Sequence, residues 1–361
     1  MALCTLNHMK ISGITTVVPP LEKCIDEDVD QYAGGATAIQ RIKETIGVGR
    51  RRVAGPSVTA LDLCLYTAEA LLDEFSIDRE SIDAVICVTQ TPDYLQPCNA
   101  AVIHGKMELP ESCACFDVNM GCSGYVYGLW IAGSLVEQGM LKRVLLLSGD
   151  TISKCVSPRD KTVSPLFGDA GSATLIEYQE GATPSSFALN TDGSGYEALI
   201  IPAGGYRNPR NEESARAVED SDGNWRSACD LHMKGGDVFN FTIREEPKAI
   251  AEILEYAGLD KEKIDYFFLH QANRYILSNI AKRLKIPMEK MPCDLVSRYG
   301  NQSSASIPCV MADSLGGNVG ESLHVLLSGF GVGLSWASAV LSLDPSVVLP
   351  VIDYPEVAVT L

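Results

Sequence analysis

Two distant segments of the chain share one pattern of apolar and polar positions. Residues 68–91 and 250–273 each show apolar residues three or four positions apart, then a polar turn, then a short apolar run. This order is typical of an amphipathic helix followed by a strand. The two segments align when Asp265 is placed over Asp83, and further identical pairs such as Ile82 and Ile264 then coincide. We call this alignment the repeat register, and it predicts a duplicated helix–turn–strand unit.

The duplication extends along the chain. The run VLLLSG from Val144 resembles VLLSG from Val325, and FGDAGSATLIEY resembles FGVGLSWASAVLSL. A repeat that spans about half of the chain is far longer than a solenoid repeat, so we predict two related halves, residues 1–182 and 183–361. Helices alternate with continuous apolar strands in both halves. This predicts an α/β fold with mostly parallel sheets that are covered by helices.

Each half also carries an insertion. TISKCVSPRDKTVSPL (151–166) separates two strands that the second half joins directly, and the polar stretch 204–227 in the second half is unlike regular structure. Two interpretations of residues 204–227 stay open, a solvated surface loop or the border of a substrate entrance.

Composition and charge narrow the class of protein. With 46% hydrophobic and 21% charged residues, the 361-residue chain falls in the globular range. The sequence contains no run of 18 apolar residues, so it predicts no membrane span. Because the N-terminus also does not resemble a signal peptide, we expect a cytoplasmic protein. The net charge of −17 argues against nucleic acid or an anionic membrane as a partner.

Twelve cysteines without an export signal predict free thiols in a reducing compartment. There is no CxxC pair, and we interpret Cys113 and Cys115 as small buried side chains on one face of a strand rather than as metal ligands. The sequence therefore predicts no metal site.

Cys122 differs from the other cysteines in its setting. A strand ends at Val118, a turn flanked by Gly121 and Gly124 follows, and an apolar-periodic helix then begins. Free backbone N–H groups at a helix N-terminus favour a thiolate, and glycines let a ligand approach the backbone. We expect a reactive thiol of lowered pKa, although the same geometry suits a buried structural cysteine.

The repeat brings two further residues toward Cys122. The repeat register maps Cys122 into SRYGNQSSASIP, which holds Asn301, and maps Val88, at a strand end, onto His270. Considered separately, His270 could be a buried core histidine and Asn301 a turn residue. In two pseudo-symmetric halves, however, we expect Cys122, His270 and Asn301 to converge from the carboxyl ends of three strands, where open α/β sheets bind ligands.

Six motifs carry a resemblance to a known family. They are NMGCSGYVYGL, FGDAGSATLIEY, MKGGDVFNF, LHQANRYILSNIAKRL, YGNQSSASIP and GFGVGLSWASAVL. With these motifs the chain resembles the thiolase superfamily and, within it, the 3-oxoacyl-[acyl carrier protein] synthase III family of condensing enzymes. The resemblance implies a five-layered αβαβα fold, a homodimer, and a catalytic site of Cys122, His270 and Asn301.

The resemblance also implies a reaction. Cys122 would hold an acyl primer from acyl-CoA or an acyl carrier protein, and His270 and Asn301 would stabilise the enolate formed when a malonyl thioester loses CO2. Backbone N–H groups of Cys122, Gly331, Val332 and Gly333 would form the oxyanion hole. The acyl carrier protein is thus an expected partner, and no metal or redox cofactor is expected.

Departures from the family concern substrate binding. The tryptophan and arginine that grip coenzyme A are absent, with Thr45 near the arginine position, and Gln96 stands where a phenylalanine usually enters the partner's acyl pocket. Together with Gln96, we name Lys161, Asn273 and Arg274 as candidate substrate-binding residues. Because an unpaired amide is costly to bury, Gln96 predicts a polar or larger primer and weak use of acetyl-CoA.

Basic residues for docking a carrier protein are sparse at the expected positions, which hold Asn240 and Tyr275. Nearby cations are candidates instead, namely Lys234, Arg244, Lys248 and Arg274.

Two alternatives to a condensing enzyme also stay open. One is an acyltransferase that passes the acyl group from Cys122 to an alcohol, amine or sugar, and the other is a non-catalytic partner in a heterodimer.

Overall fold

The computed structural model describes residues 2–355. In chain order its strands are β1 (Ala2–Leu6), β2 (Met9–Val18), β3 (Leu21–Cys24), β4 (Arg50–Val53), β5 (Ala84–Val88), β6 (Ala114–Val118), β7 (Arg143–Asp150), β8 (Ala170–Tyr178), β9 (Ser185–Thr191), β10 (Leu199–Ile200), β11 (Val218–Glu219), β12 (Trp225–Arg226), β13 (His232–Met233), β14 (Tyr266–Leu269), β15 (Leu323–Gly331), β16 (Ser335–Leu343) and β17 (Ile352–Asp353). The α-helices are α1 (Gly35–Thr45), α2 (Ala60–Glu74), α3 (Asn99–Lys106), α4 (Gly124–Val136), α5 (Gly235–Ala257), α6 (Arg274–Leu284), α7 (Val296–Tyr299) and α8 (Ser306–Leu315).

Two large sheets alternate with three helical layers, as the αβαβα expectation requires. The first sheet has the order β17-β2-β8-β7-β5-β6 and the second β1-β9-β16-β15-β14. Helices α4 and α8 lie between the sheets in one apolar core, α2 and α3 cover the outer face of the first sheet, and α5 and α6 cover the outer face of the second.

Continuous apolar strands follow from this layering, because both faces of each sheet are covered. In β14, Phe268 packs on the central core while Phe267 packs on the outer one, and Leu327 and Leu326 of β15 divide in the same way. Successive side chains of a strand point to opposite faces, so every position of such a strand is apolar.

The prediction of mostly parallel sheets is confirmed for the first sheet and wrong for the second. In the first sheet β6-β5, β5-β7 and β17-β2 pair in parallel and the other two strand pairs are antiparallel, whereas in the second sheet β14-β15 is parallel and the other three described pairs are antiparallel. An apolar run reports burial on both faces and carries no information about strand direction, which explains the error.

The repeat is visible in the order of elements. In the repeat register the first residues of β5 and β14 coincide, as do the first residues of α4 and α8. The correspondence is broken at β6, whose counterpart in the second half is the helix α7. The boundary at 182/183 stays a prediction, and residues 356–361 of the second half lie outside the described residues. Strand β1 pairs with β9 of the second sheet, and β17 pairs with β2 of the first.

Candidate active site

Cys122, His270 and Asn301 line one cavity of about 510 Å³. All three are buried, whereas Tyr275, which lines the same cavity, is 44% exposed. The cavity therefore runs from a buried end at the cysteine to a solvent-facing end at α6. Its walls are mainly apolar and come from α1, the 151–166 insertion, α5 and α6, and include Ile42, Ile46, Leu166, Phe167, Val238, Phe239 and Ile276.

Cys122 lies two residues before the start of α4, as the turn motif predicted. Its sulfur is closely covered by the end of β15, because a Cβ on Gly331 would lie 2.8 Å from both Cys122 Cβ and Sγ. A side chain at residue 331 would thus collide with the thiol. Gly331 also has a φ of 158°, a positive value that residues with a side chain rarely adopt, so both space and backbone conformation favour glycine here.

The expectation of a lowered thiol pKa was wrong for this structure. Burial, together with the nearby Asp150 carboxylate, raises the pKa of Cys122 to about 12. Hydrogen bonds with the backbone of Val332 and of Cys122 itself, and with the Ser303 side chain, act in the opposite direction. Desolvation disfavours the thiolate more than the helix N-terminus favours it. The resting thiol is neutral at pH 7.

His270 follows directly on β14 and is buried as a neutral imidazole. Its Nδ1 lies 2.6 Å from Ser306 Oγ, and the backbone N–H of Gln271 donates to the same Oγ at 3.4 Å. A hydroxyl that accepts from Gln271 is free to donate to Nδ1, and in that tautomer the imidazole proton lies on Nε2. Burial lowers the pKa of His270 to about 3, against a hydrogen bond with the Ser303 backbone. The ring is therefore a neutral donor at pH 7.

Asn301 reaches the cavity from a different element than predicted. It follows α7 rather than a strand, and it is fixed by an isolated bridge to the 151–168 region, with Asn301 N donating to Leu166 O at 2.8 Å. Its Oδ1 accepts from Ser303 N at 2.9 Å, which leaves the Nδ2 amino group as a donor. The convergence of the three residues was predicted correctly, but the proposed origin from three strand ends was wrong for Asn301.

A serine-rich turn behind these residues was missed by the sequence analysis. Ser303 contacts Asn301 through its backbone, and Ser306 contacts His270. Ser304 donates to the buried carboxylate of Asp150 from both N and Oγ. The segment SSAS in YGNQSSASIP could have indicated this turn. Three serines at the start of an otherwise apolar helix are unusual inside a core.

Two parts of the chain match models of one protein family. The family model described as 3-oxoacyl-[acyl-carrier-protein (ACP)] synthase III matches residues 116–193, and the model of its C-terminal part matches residues 254–343. The beta-ketoacyl-[acyl-carrier-protein] synthase III of Fusobacterium nucleatum is 34% identical over 307 residues, which are 84% of this chain and 90% of that protein. This chain belongs to the 3-oxoacyl-[acyl-carrier-protein] synthase III family.

Solved structures of synthase III proteins show the same fold. The 3-oxoacyl-(acyl-carrier protein) synthase from Burkholderia xenovorans LB400 superposes with a TM-score of 0.91 at 39% identity, covering 98% of this chain and 99% of that one. The beta-ketoacyl-[acyl carrier protein] synthase III from Thermus thermophilus gives 0.78 at 33% identity, covering 93% and 99%. The thiolase-like fold that the resemblance implied is thereby confirmed.

The candidate substrate-binding residues of this synthase III chain fall into two groups. Lys161 and Asn273 line the cavity, and Asn273 also caps α6 by accepting from Ile276 N at 2.9 Å. Arg274 lies in a neighbouring cleft and is paired with Asp294. Gln96 is exposed on the loop after β5 and does not line the cavity of this protomer. Substrate contacts of all four residues stay predictions.

The candidate oxyanion hole is placed around the sulfur. Gly331 lines the cavity, and the backbone of Val332 hydrogen-bonds Cys122. Gly333 is one residue farther along the turn between β15 and β16. Binding of an oxyanion by Cys122, Gly331, Val332 and Gly333 stays a prediction.

The polar stretch 204–227 contains the β11-β12 hairpin, which packs against the cavity's insertion. Ser157 Oγ donates to Trp225 O, and Arg226 pairs with Asp160 at 2.9 Å. A Cβ on Gly223 would lie 3.4 Å from the Nζ of Lys161, which lines the cavity. Of the two open interpretations, this geometry favours the border of the cavity over a free surface loop.

Cations near the nominal carrier-docking positions are largely paired with carboxylates. Arg244 and Lys248 both contact Glu245, and Lys234 lies 3.7 Å from Glu197.

No helix among residues 2–355 has the length and apolar character needed to cross a membrane.

Proposed function

We propose that this protein catalyses the decarboxylative condensation of an acyl primer, held on Cys122, with a malonyl thioester of an acyl carrier protein. The observation that carries the proposal is the lining of one cavity by the neutral thiol of Cys122 and by two neutral donors, His270 and Asn301. Family membership supports the same reaction class.

In the first step the Cys122 sulfur attacks the primer thioester. A new C–S bond forms, the bond to the carrier sulfur breaks, and the thiol proton of Cys122 ends on the departing carrier thiol. Because burial raises the pKa of Cys122, proton loss accompanies attack rather than preceding it. Backbone N–H groups of Cys122 and of the turn after Gly331 stabilise the tetrahedral oxyanion.

In the second step the malonyl thioester loses CO2, and the electron pair of the broken C–C bond forms an enolate. Its oxygen accepts hydrogen bonds from His270 Nε2 and Asn301 Nδ2, which carry protons without any ionisation at pH 7. The enolate carbon then attacks the acyl-Cys122 carbonyl. The C–S bond breaks, the 3-oxoacyl product leaves on its carrier, and the cysteine sulfur regains a proton.

The proposal includes the acyl carrier protein as partner, either acyl-CoA or an acyl carrier as primer donor, and a homodimer. A dimer would cover the loop that carries Gln96, where Tyr94 and Leu95 are 56% and 77% exposed in one protomer. The acyltransferase alternative gains no support from the geometry, because transfer to an alcohol or amine needs no pair of enolate donors.

Separation of the half-reactions tests the proposal. Wild type, Cys122→Ala, His270→Ala and Asn301→Ala are incubated with a panel of acyl thioesters, and the protein mass and CO2 release from malonyl-carrier are measured. We expect acylation of Cys122 in all proteins except Cys122→Ala, and CO2 release reduced on the order of 100- to 1000-fold in the His270 and Asn301 variants. Wild-type CO2 release in both variants would contradict a condensing enzyme.

A further inference from the structure

Gln90 lies against the turn that carries the nucleophile. It follows β5, and its backbone N–H donates to Asp150 Oδ1 at 2.7 Å. A methyl group on Gly121 would lie 2.0 Å from Gln90 Oε1 and 2.8 Å from Gln90 Cδ. The side-chain amide therefore fills the space beside the residue that precedes Cys122, and a side chain at position 121 would displace it.

The amide of Gln90 is available to a ligand. Its backbone is anchored on Asp150, but among residues 2–355 neither its Oε1 nor its Nε2 has a hydrogen-bond partner. The residue is half-buried rather than open to bulk solvent. A half-buried amide without a protein partner gains free energy when a polar ligand group pairs with it, and loses it when an apolar group covers it.

Gln90 shares its position beside Gly121 with Val332. The same methyl group on Gly121 would lie 3.0 Å from Val332 Cγ1, and the Val332 backbone hydrogen-bonds Cys122. Val332 also packs against an apolar cluster that contains Phe167 and Leu199. The turn that carries Cys122 is thus flanked by the apolar side chain of Val332 and by the amide of Gln90.

A thioester bound at Cys122 has two arms that diverge from its carbonyl carbon. The cavity that opens beside Tyr275 leads to solvent, so it suits the long carrier arm. Gln90 does not line that cavity, although it lies next to the nucleophile's turn. Its position therefore suits the acyl arm.

On the basis of the proposed function, we propose that Gln90 is a specificity-determining residue that selects acyl primers bearing a hydrogen-bonding group, such as a hydroxyl, near the thioester carbonyl. Gln90 would act from the same protomer as Cys122, whereas the predicted place of Gln96 is the acyl pocket of the partner, outside the cavity of its own protomer.

Competition between isosteric primers tests this assignment. Full-length wild type, Gln90→Leu and Gln138→Leu, the last at an exposed glutamine just past the end of α4, receive equimolar 3-hydroxybutyryl-CoA and isovaleryl-CoA, which differ by a hydroxyl in place of a methyl group. They then receive lactyl-CoA and isobutyryl-CoA. The two acyl-Cys122 masses are read by intact-protein mass spectrometry. Leucine keeps the approximate volume of glutamine, and thermal melting checks that each variant is folded.

We expect wild type to favour the hydroxyacyl group about tenfold in at least one pair. Gln90→Leu brings that ratio to about one or reverses it while isobutyryl or isovaleryl loading persists, and Gln138→Leu leaves the ratio unchanged. Equal ratios in wild type and Gln90→Leu overturn the proposal, as does loss of the preference in Gln138→Leu alone. If no thioester adds mass to Cys122 in any of the proteins, the proposed function itself fails, and this inference fails with it.

Discussion

Ser304 donates two hydrogen bonds to Asp150 across the two halves of the chain, from N at 3.1 Å and from Oγ at 2.7 Å. Both residues are buried beside the nucleophile. In the repeat register Ser304 is the counterpart of Cys122. The pairing of β7 with β5 and of β15 with β14 makes Gly331, at the end of β15, the counterpart of Asp150, at the end of β7. Because Gly331 lies against the Cys122 sulfur, the pseudo-symmetric halves form two equivalent contacts, one that binds a carboxylate and one that covers the thiol.

Ser304→Ala tests the stabilising role of this contact. The variant leaves Asp150 Oδ2 with one donor fewer in a buried site, so we expect a loss of about 1–3 kcal/mol in the free energy of unfolding. Urea denaturation measures it. The matched control is Ser346→Ala, in which an exposed serine loses a 2.6 Å bond to Asp344 and little stability should be lost. Equal losses in the two variants would contradict a special role for burial.

Asp150→Asn tests the electrostatics of the thiol. Because burial and the Asp150 carboxylate both raise the pKa of Cys122, alkylation of wild-type Cys122 by iodoacetamide should accelerate about tenfold per pH unit from pH 6 to 9 without a plateau. Removal of the carboxylate lowers the thiol pKa, so the variant should react faster at each pH. Asp344→Asn, at the far end of β16, serves as the control. A plateau below pH 8 in wild type would show that the thiol is already ionised.

Asn301→Asp separates positioning from donation. A carboxylate still accepts from Ser303 N, as Asn301 Oδ1 does at 2.9 Å, but it has no N–H to offer an enolate. We expect normal folding and retained acylation of Cys122, with CO2 release from malonyl-carrier lowered on the order of 100- to 1000-fold. Release within threefold of wild type would mean that the Asn301 amide does not donate in the reaction.

Ser306→Ala tests the orientation of His270. The 2.6 Å contact with Nδ1 fixes the ring and its tautomer, so its loss should slow decarboxylation about tenfold while acylation of Cys122 continues. Ser306→Thr keeps a hydroxyl and should recover most of the rate. Equal rates in Ser306→Ala and Ser306→Thr would assign the effect to packing rather than to the hydrogen bond.

The internal repeat was the part of the sequence that predicted which residues come together in the site. The repeat register placed His270 at a strand end and the Asn301 segment opposite the Cys122 turn, and all three line one cavity. The repeat also suggested a strand before Asn301, but the structure has α7 there. Internal similarity preserves position in the fold more faithfully than it preserves the type of each element.

Contacts between the two halves could not be predicted from the sequence. Asp150 and Ser304 are far apart in the chain, and neither the carboxylate nor the hydroxyl belongs to a periodic pattern, so only the orientation of the two halves brings them together. The pKa of Cys122 was missed for a related reason. A helix N-terminus is readable in the sequence, whereas the depth of burial that opposes it depends on the assembled core.

The buried carboxyl group of Glu246 makes the stability of the fold depend on pH. This glutamate of α5 is buried, its Oε1 accepts from Ser328 Oγ, and its Oε2 has no partner among the described residues. Burial raises the pKa of Glu246 from 4.5 to about 8. Below pH 4.5 the group is protonated in both the folded and the unfolded chain. Between pH 4.5 and about 8 only the unfolded chain ionises, so this group lowers the stability of the fold as the pH rises.

Glu246→Gln removes this ionisation while it keeps an acceptor for Ser328. We expect the variant to gain stability over wild type as the pH rises from 5 to 8, on the order of 1 kcal/mol for each pH unit. Urea denaturation at pH 5, 6.5 and 8 measures the difference. Glu252→Gln, at an exposed position of the same helix, should show no such trend because water solvates its charge in both states. A constant difference between wild type and Glu246→Gln would mean that Glu246 titrates alike in the folded and unfolded chains, and its burial would then have to be offset by a cation or a water-filled path that reaches the carboxyl.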